Sequence, residues 1–193
     1  MEEANLKHRF KTVIIGGSAG SLTVLFDVLP TLDPHLKTSI ILVLHRKNSG
    51  DSSLSELLSS KTVLPVKEID DKDPVLSGNI YLAPADYHVL IEKNYFFSLD
   101  VSEKINFSRP SLDVTFESAA EAFGTSLTAI LLSGSNNDGT AGLKAVQEAG
   151  GMIIVQNPET ANMAYMPQHA INNLSVDHIL DPKEISKFIN SLG

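Results

Sequence analysis

A serine, a histidine and an aspartate, each just past the end of an apolar run, are the residues of this chain best suited to chemistry. Ser18 lies in Gly16-Gly17-Ser18-Ala19-Gly20, after Thr12-Val13-Ile14-Ile15 and before Ser21-Leu22-Thr23-Val24-Leu25-Phe26, which reads as the start of a helix. Small residues on both sides let the backbone turn sharply and aim helix N–H groups at whatever the serine contacts. Such a turn suits a nucleophile, a phosphate cradle or nothing beyond a tight connection. His45 follows Ser39-Ile40-Ile41-Leu42-Val43-Leu44, and Asp138 lies in Ser133-Gly134-Ser135-Asn136-Asn137-Asp138-Gly139. Taken singly, His45 is a loop residue and Asp138 is the N-cap of a helix over 139–149. Together the three supply base-assisted nucleophilic attack: histidine takes the serine proton, and aspartate fixes its tautomer and stabilises the imidazolium.

Rival constellations fail on order. An α/β-hydrolase elbow has several strands before its nucleophile and its acid before its histidine, whereas only about ten residues precede the first apolar run here. A dinucleotide fingerprint would need glycines where Ser18 and Ser21 stand, and an acid where His45 ends the second run. His88, His169 and His178 have no metal-ligand spacing with one another or with nearby acids, so no metal is expected.

The elements that must position the three residues alternate. Strands are expected over 12–16, 39–44, 127–132, 151–156 and 177–180. Helices are expected over 20–29 (stopped by Pro30), around Leu54, Leu57 and Leu58, from Ser108-Arg109-Pro110-Ser111 to Gly124, over 139–149 and near 167–173. A last helix has its N-cap, first-turn proline and acid in Asp181-Pro182-Lys183-Glu184. Short strands at 64–68, 79–83, 87–92 and 95–101 look antiparallel, with Lys93-Asn94 as a hairpin turn. Runs 12–15, 40–44, 127–132 and 152–155 are strongly apolar, as strands buried on both faces are. The fold class is therefore α/β: a doubly wound, mostly parallel sheet flanked by helices on both faces, with an antiparallel hairpin insertion near 79–101. In such sheets ligands collect at the carboxyl ends of the strands, where Ser18, His45 and Asp138 all fall.

The whole chain, 1–193, reads as one domain large enough for a single core. It has no cysteine and no apolar run long enough to span a bilayer, and it begins on an acidic segment, so a cytoplasmic location is expected. Fifteen basic against twenty-three acidic residues give a formal charge of -8, which argues against nucleic acid as a partner.

In its motifs the chain resembles the catalytic domain of the CheB family of chemotaxis protein-glutamate methylesterases. Ile15-Gly16-Gly17-Ser18-Ala19-Gly20 is similar to that family's nucleophile turn, Val43-Leu44-His45 to its histidine strand end, and Leu132-Ser133 through Ala141-Gly142 to its aspartate loop. Tyr81 to His88, Arg109-Pro110-Ser111-Leu112-Asp113 and Met166-Pro167 resemble further segments in the same order. The resemblance implies a Ser18, His45, Asp138 triad that hydrolyses glutamate γ-methyl esters on the cytoplasmic helices of chemoreceptors, with glutamine deamidation as a second activity and no cofactor. Backbone N–H groups at Ala19 and around Ser135 are the expected oxyanion donors, and Arg109 and His88 are expected near the site mouth.

The chain departs from the family at Ala19, commonly threonine, at Ser135-Asn136, where Met-Gly is usual, and at Arg46-Lys47, where Met-Pro is usual. The basic pair could attract an acidic receptor helix or form an ordinary solvated loop. The family's phosphoreceiver domain has no counterpart in these residues, so the sheet edge is expected to be open and active without a phosphodonor, unless a separate receiver protein docks or the sequence is part of a longer chain. The alternative reading is a non-catalytic module of the same fold that binds a receptor or signalling partner.

Overall fold

In the computed structural model the described residues are 11–46 and 53–193. Seven strands form one parallel sheet: β1 (Thr12–Gly17), β2 (Ser39–Leu44), β3 (Val66–Glu68), β4 (Ile80–Leu82), β7 (Leu127–Leu131), β8 (Met152–Gln156) and β9 (His178–Leu180). Their order across the sheet is β3-β4-β2-β1-β7-β8-β9. The chain works outward from β1 in one direction and then returns to β1's other edge with β7, so the order reverses between β1 and β7. At such a switch point the connections leave in opposite directions and open a crevice at the carboxyl ends. Ser18 leaves β1 there.

Among the described residues six helices cover the sheet: α1 (Ser21–Val28), α2 (Ser53–Ser59), α3 (Leu112–Phe123), α4 (Thr140–Glu148), α5 (Tyr165–Asn173) and α6 (Pro182–Ser191). Strand alternation divides the core in two. Ile14, Ile41, Val43, Ala129, Leu131, Ile153 and Val155 face Leu112, Phe116 and Phe123 of α3, Leu143 and Val146 of α4, and Met166 of α5. Val13, Ile15, Ile40, Leu42, Ile130 and Ile154 face Val24, Leu25 and Val28 of α1 and Ile185 and Ile189 of α6. Each fully buried Leu, Ile or Phe contributes roughly 1.5–3 kcal/mol. The capping box expected at Asp181 and Glu184 opens α6.

Of the stretch read as antiparallel, only its later part is a hairpin. β5 (His88–Ile91) and β6 (Phe97–Asp100) pair antiparallel about a turn centred on Lys93 and Asn94. The earlier strands, β3 and β4, pair parallel with each other, and β4 joins β2 in the main sheet. Short strands carry little periodicity, and what separates the two groups is which core they meet: Ile80 and Leu82 enter one sheet face, whereas Val89, Ile91 and Phe97 pack beside α3. The hairpin is fastened to α3 by Thr115 Oγ1 to Val89 O at 2.8 Å and Ile91 N–H to Ser118 Oγ at 3.1 Å. It therefore steadies the helix whose first turn enters the site.

Candidate active site

Main-chain hydrogen bonds continue past the strand ends and lock the turns together. Ser18 N–H donates to Ser133 O at 2.9 Å, Leu132 N–H to Gly16 O at 2.8 Å, and His45 N–H to Gly17 O at 3.1 Å. The backbones of Ser18 and His45 are thus extensions of one ladder. Gly20 turns the chain into α1 with φ 85°, where a Cβ would come within 2.6 Å of Asn162 Cβ and 2.8 Å of Ser133 Oγ. Only glycine meets both demands. Ser21 secures the turn by donating from its hydroxyl to Ser18 O at 2.6 Å.

Asp138 is fully buried and meets donors on every side. Its Oδ2 accepts from His45 Nε2 at 2.7 Å and from Leu112 N–H at 2.7 Å. Its Oδ1 accepts from Ser111 Oγ at 2.9 Å, Asp113 N–H at 3.2 Å and Asn106 Nδ2 at 3.4 Å. Two of these donors are first-turn amides of α3, whose orphan N–H groups and dipole favour an anion. Burial alone would raise this carboxyl, but the hydrogen bonds from His45 and the α3 amides outweigh it and bring the pKa down to about 2. An ionised Asp138 accepts a hydrogen bond from Nε2–H, so the imidazole is held in the Nε2–H tautomer with its lone pair on Nδ1. Asp138 is not the N-cap of the helix that follows it: Gly139 holds that position with no side-chain cap, and the Asp138 side chain turns away to cap α3 instead.

The capping of α4 falls to Asp113, from the first turn of α3. Its Oδ1 accepts from Gly139 N–H at 2.9 Å and Gly142 N–H at 2.7 Å, and its Oδ2 from Asn106 Nδ2 at 3.1 Å. Burial and the neighbouring Asp138 charge push Asp113 up to about 6 against the pull of those amides. Of two adjacent buried carboxylates, the one holding the imidazole keeps its charge and the other carries the cost.

His88 is not at the mouth. It is fully buried behind α3, with Nδ1 accepting from Ser111 N–H at 3.2 Å and Nε2 3.0 Å from Glu103 O. Arg109 does line the opening, a groove of about 360 Å³ formed with His45, Arg46, Asp86, Lys104, Phe107 and Ser108. Arg46 pairs with Glu68, and Arg109 donates to the Val101 and Ser102 carbonyls, each at 2.8 Å. Lys104 makes no ion pair among the described residues; Lys47 and the N-terminal residues 1–10 lie outside them.

Around Ser133 most donors are taken. Its N–H bonds to Gln156 Oε1 at 2.9 Å, its Oγ donates to Ala19 O at 2.7 Å and accepts from Met163 N–H at 2.9 Å, and Gly134 N–H bonds to Met163 O at 3.0 Å. Ala19 and Ser135 are exposed, and among the described residues their N–H groups have no partner. The residues missed by sequence reasoning are those that hold others: Asn106, Ser108, Gln156 and the side chain of Asp113. Pattern carries no signal for Asn106 or Gln156, because each acts through a tertiary contact, Asn106 on Asp113 and Asp138 and Gln156 on Ser133.

A doubly wound α/β protein with a serine turn, a histidine and a buried aspartate at its switch point is what fold and site define together. The chain belongs to the CheB methylesterase family, which it matches over residues 13–189. A Leptospira interrogans protein is 39% identical over 178 residues, covering 92% of each chain. The protein-glutamate methylesterase/protein-glutamine glutaminases of Thermotoga maritima and Salmonella typhimurium are 35% and 33% identical over 91% and 92% of this chain. This chain spans only about half of their length, 52% and 51%. The crystal structure of the Thermotoga maritima CheB methylesterase catalytic domain superposes with a TM-score of 0.90 at 34% identity, covering 95% of this chain and 99% of that one. Among the described residues no helix is long and apolar enough to cross a membrane.

Proposed function

We propose that this chain is a serine hydrolase acting in the cytoplasm on glutamate γ-methyl esters of chemoreceptor helices, and on glutamine side chains by deamidation. The names of its relatives supply the substrate class. The observation that carries the mechanism is the 2.7 Å bond between buried Asp138 and His45 Nε2, which leaves Nδ1 as the base on a strand end tied to the Ser18 turn. His45 Nδ1 accepts the Ser18 proton as Oγ attacks the ester carbonyl. The tetrahedral oxyanion is met by the Ala19 and Ser135 N–H groups, each worth about 3 kcal/mol if aligned. Collapse expels methanol, which takes the proton from His45 and leaves a glutamyl-Ser18 ester. Water then repeats the sequence, giving the carboxylate and restoring the serine. For glutamine the leaving group is ammonia.

Lys104 and the neighbouring arginines give the groove a basic edge suited to an acidic helix. Methanol release from methylated receptor membranes tests the reading. Wild-type chain should release methanol without a phosphodonor, and Ser18→Ala should release none above background. Equal release by the two proteins would exclude Ser18 as nucleophile.

A further inference from the structure

Residues 105–108 form a two-residue hairpin whose geometry is poorly matched to its sequence. Ser108 N–H donates to Ile105 O at 2.9 Å and Ile105 N–H to Ser108 O at 3.2 Å. Between them Asn106 and Phe107 have φ of 50° and 61°. Two successive left-handed residues make a primed turn, for which Asn-Gly is the favoured pair. Phenylalanine at the second position places a Cβ where that backbone disfavours one. Its ring is 99% exposed, so no packing offsets the strain. Strain of this kind is kept where the surrounding structure uses it.

What the turn does is send consecutive side chains to different places. The Asn106 amide reaches both Asp113 and Asp138, Phe107 stands in solvent on the rim of the groove, and Ser108 Oγ lies 3.3 Å from His45 Nδ1. Because Nε2–H donates to Asp138, Nδ1 is an acceptor and the Ser108 hydroxyl donates to it. Among the described residues the Ser18 hydroxyl has no hydrogen bond. At 3.3 Å the Ser108 contact is longer than the usual hydroxyl bond and correspondingly easy to give up. A second acceptor, Asn106 O, waits at 3.4 Å, so the hydroxyl can leave the imidazole without being stranded.

We infer that Ser108 is a positioning residue that occupies the base nitrogen of His45 in the free protein and yields it to Ser18 when a substrate engages the 105–108 turn. The release step rests on the hydrolase reading above, in which Nδ1 is the base; the resting contact does not. Phe107 is the part of the turn a substrate meets first, and the strain stored beneath it makes the turn ready to shift.

Nitrogen-15 NMR of the full chain reads the contact without any activity. Ser108→Ala should move the His45 Nδ1 resonance toward that of an unbonded imidazole nitrogen, and Ser18→Ala should leave it in place; the reverse pattern overturns the contact. A fluorophosphonate reads the release. The label should map to Ser18, Ser108→Ala should be labelled about 2–10-fold faster, the equivalent of one neutral hydrogen bond, and Ser108→Thr should return the rate toward wild type. Structural damage would slow labelling rather than speed it. A slower rate in Ser108→Ala, or label on Ser108, overturns the assignment. Absence of label from Ser18 in both proteins overturns the hydrolase reading and the release step with it, while the nitrogen resonance decides the contact separately.

Discussion

Asp113 and Asp138 cap each other's helices: Asp138, just before α4, receives the first-turn amides of α3, and Asp113, in the first turn of α3, receives Gly139 and Gly142 at the start of α4. The exchange clamps two helix N-termini together and leaves His45 to draw on one of the two carboxylates. Asn106, donating to both, sits across the join.

Asp138→Asn should be damaging twice over. Both carboxylate oxygens face donors, so the new amide nitrogen must confront the α3 turn or His45 Nε2. Facing His45, it would favour the Nδ1–H tautomer and remove the base. We expect methanol release to fall by a factor on the order of 10⁴ and urea denaturation to show a loss of about 1–3 kcal/mol. An unchanged stability would mean that the α3 turn does not depend on this carboxylate.

Asp113→Asn should change the pH dependence of stability. With a native pKa of about 6 against about 3.9 unfolded, the wild-type native state binds the extra proton between those values. Stability from this group is therefore full below about pH 4 and is lost as pH rises through about 6. Asparagine keeps the acceptor for Gly139 and Gly142 and has no charge to bury. The difference in urea midpoint should move in favour of the variant from pH 4 to pH 6.5, and a constant difference would refute the assignment. Asp138 has the opposite sign: its contribution is present above about pH 3.9 and lost as pH falls toward about 2.

Phe107→Gly removes the left-handed Cβ and sacrifices almost no buried surface. Relief of about 1–2 kcal/mol of backbone strain, less about 0.5–1 kcal/mol for glycine's greater freedom when unfolded, predicts a net gain on the order of 0.5–1 kcal/mol in thermal or urea unfolding. A loss of stability would show that the ring packs against the groove.

Gly142→Ala should be costly despite alanine's better helix propensity. The new Cβ would lie 2.6 Å from Phe116 Cβ and 2.9 Å from both Asp113 Cα and Asp113 O, so backbone must move. Overpacking of this kind costs about 1–3 kcal/mol, and it separates the two helix ends that the carboxylates join. Calorimetry should show a fall in Tm of several degrees, roughly 2–4 °C for each kcal/mol; an unchanged Tm would mean the α3–α4 contact is loose.

Apolar runs 12–15, 40–44 and 127–132 announced buried parallel strands because both faces of each are covered, and the residues just past them were readable as site candidates for the same reason. Asp138 is readable as a cap, but not as the cap of the helix it serves. Position before a helix suggests capping that helix, whereas the tertiary fold offers it the N-terminus of another. His88 starts β5 and is buried beside α3 and the Glu103 carbonyl, tertiary contacts that its place in the sequence does not encode. The pairing of 66–68 and 80–82 with the main sheet depends on crossovers that local periodicity does not encode.

Surface loops ordinarily accept insertions because an added residue displaces nothing but solvent. The segment from Ile105 to Ser108 is an exception. The hydrogen bonds between Ile105 and Ser108 fix the count at two residues between them, and that count decides which side chain reaches the acids, which the water and which the imidazole. One residue more would shift Ser108 out of reach of His45 while Asn106 still held the carboxylates, so length at this turn is as restricted as residue type is inside the sheet.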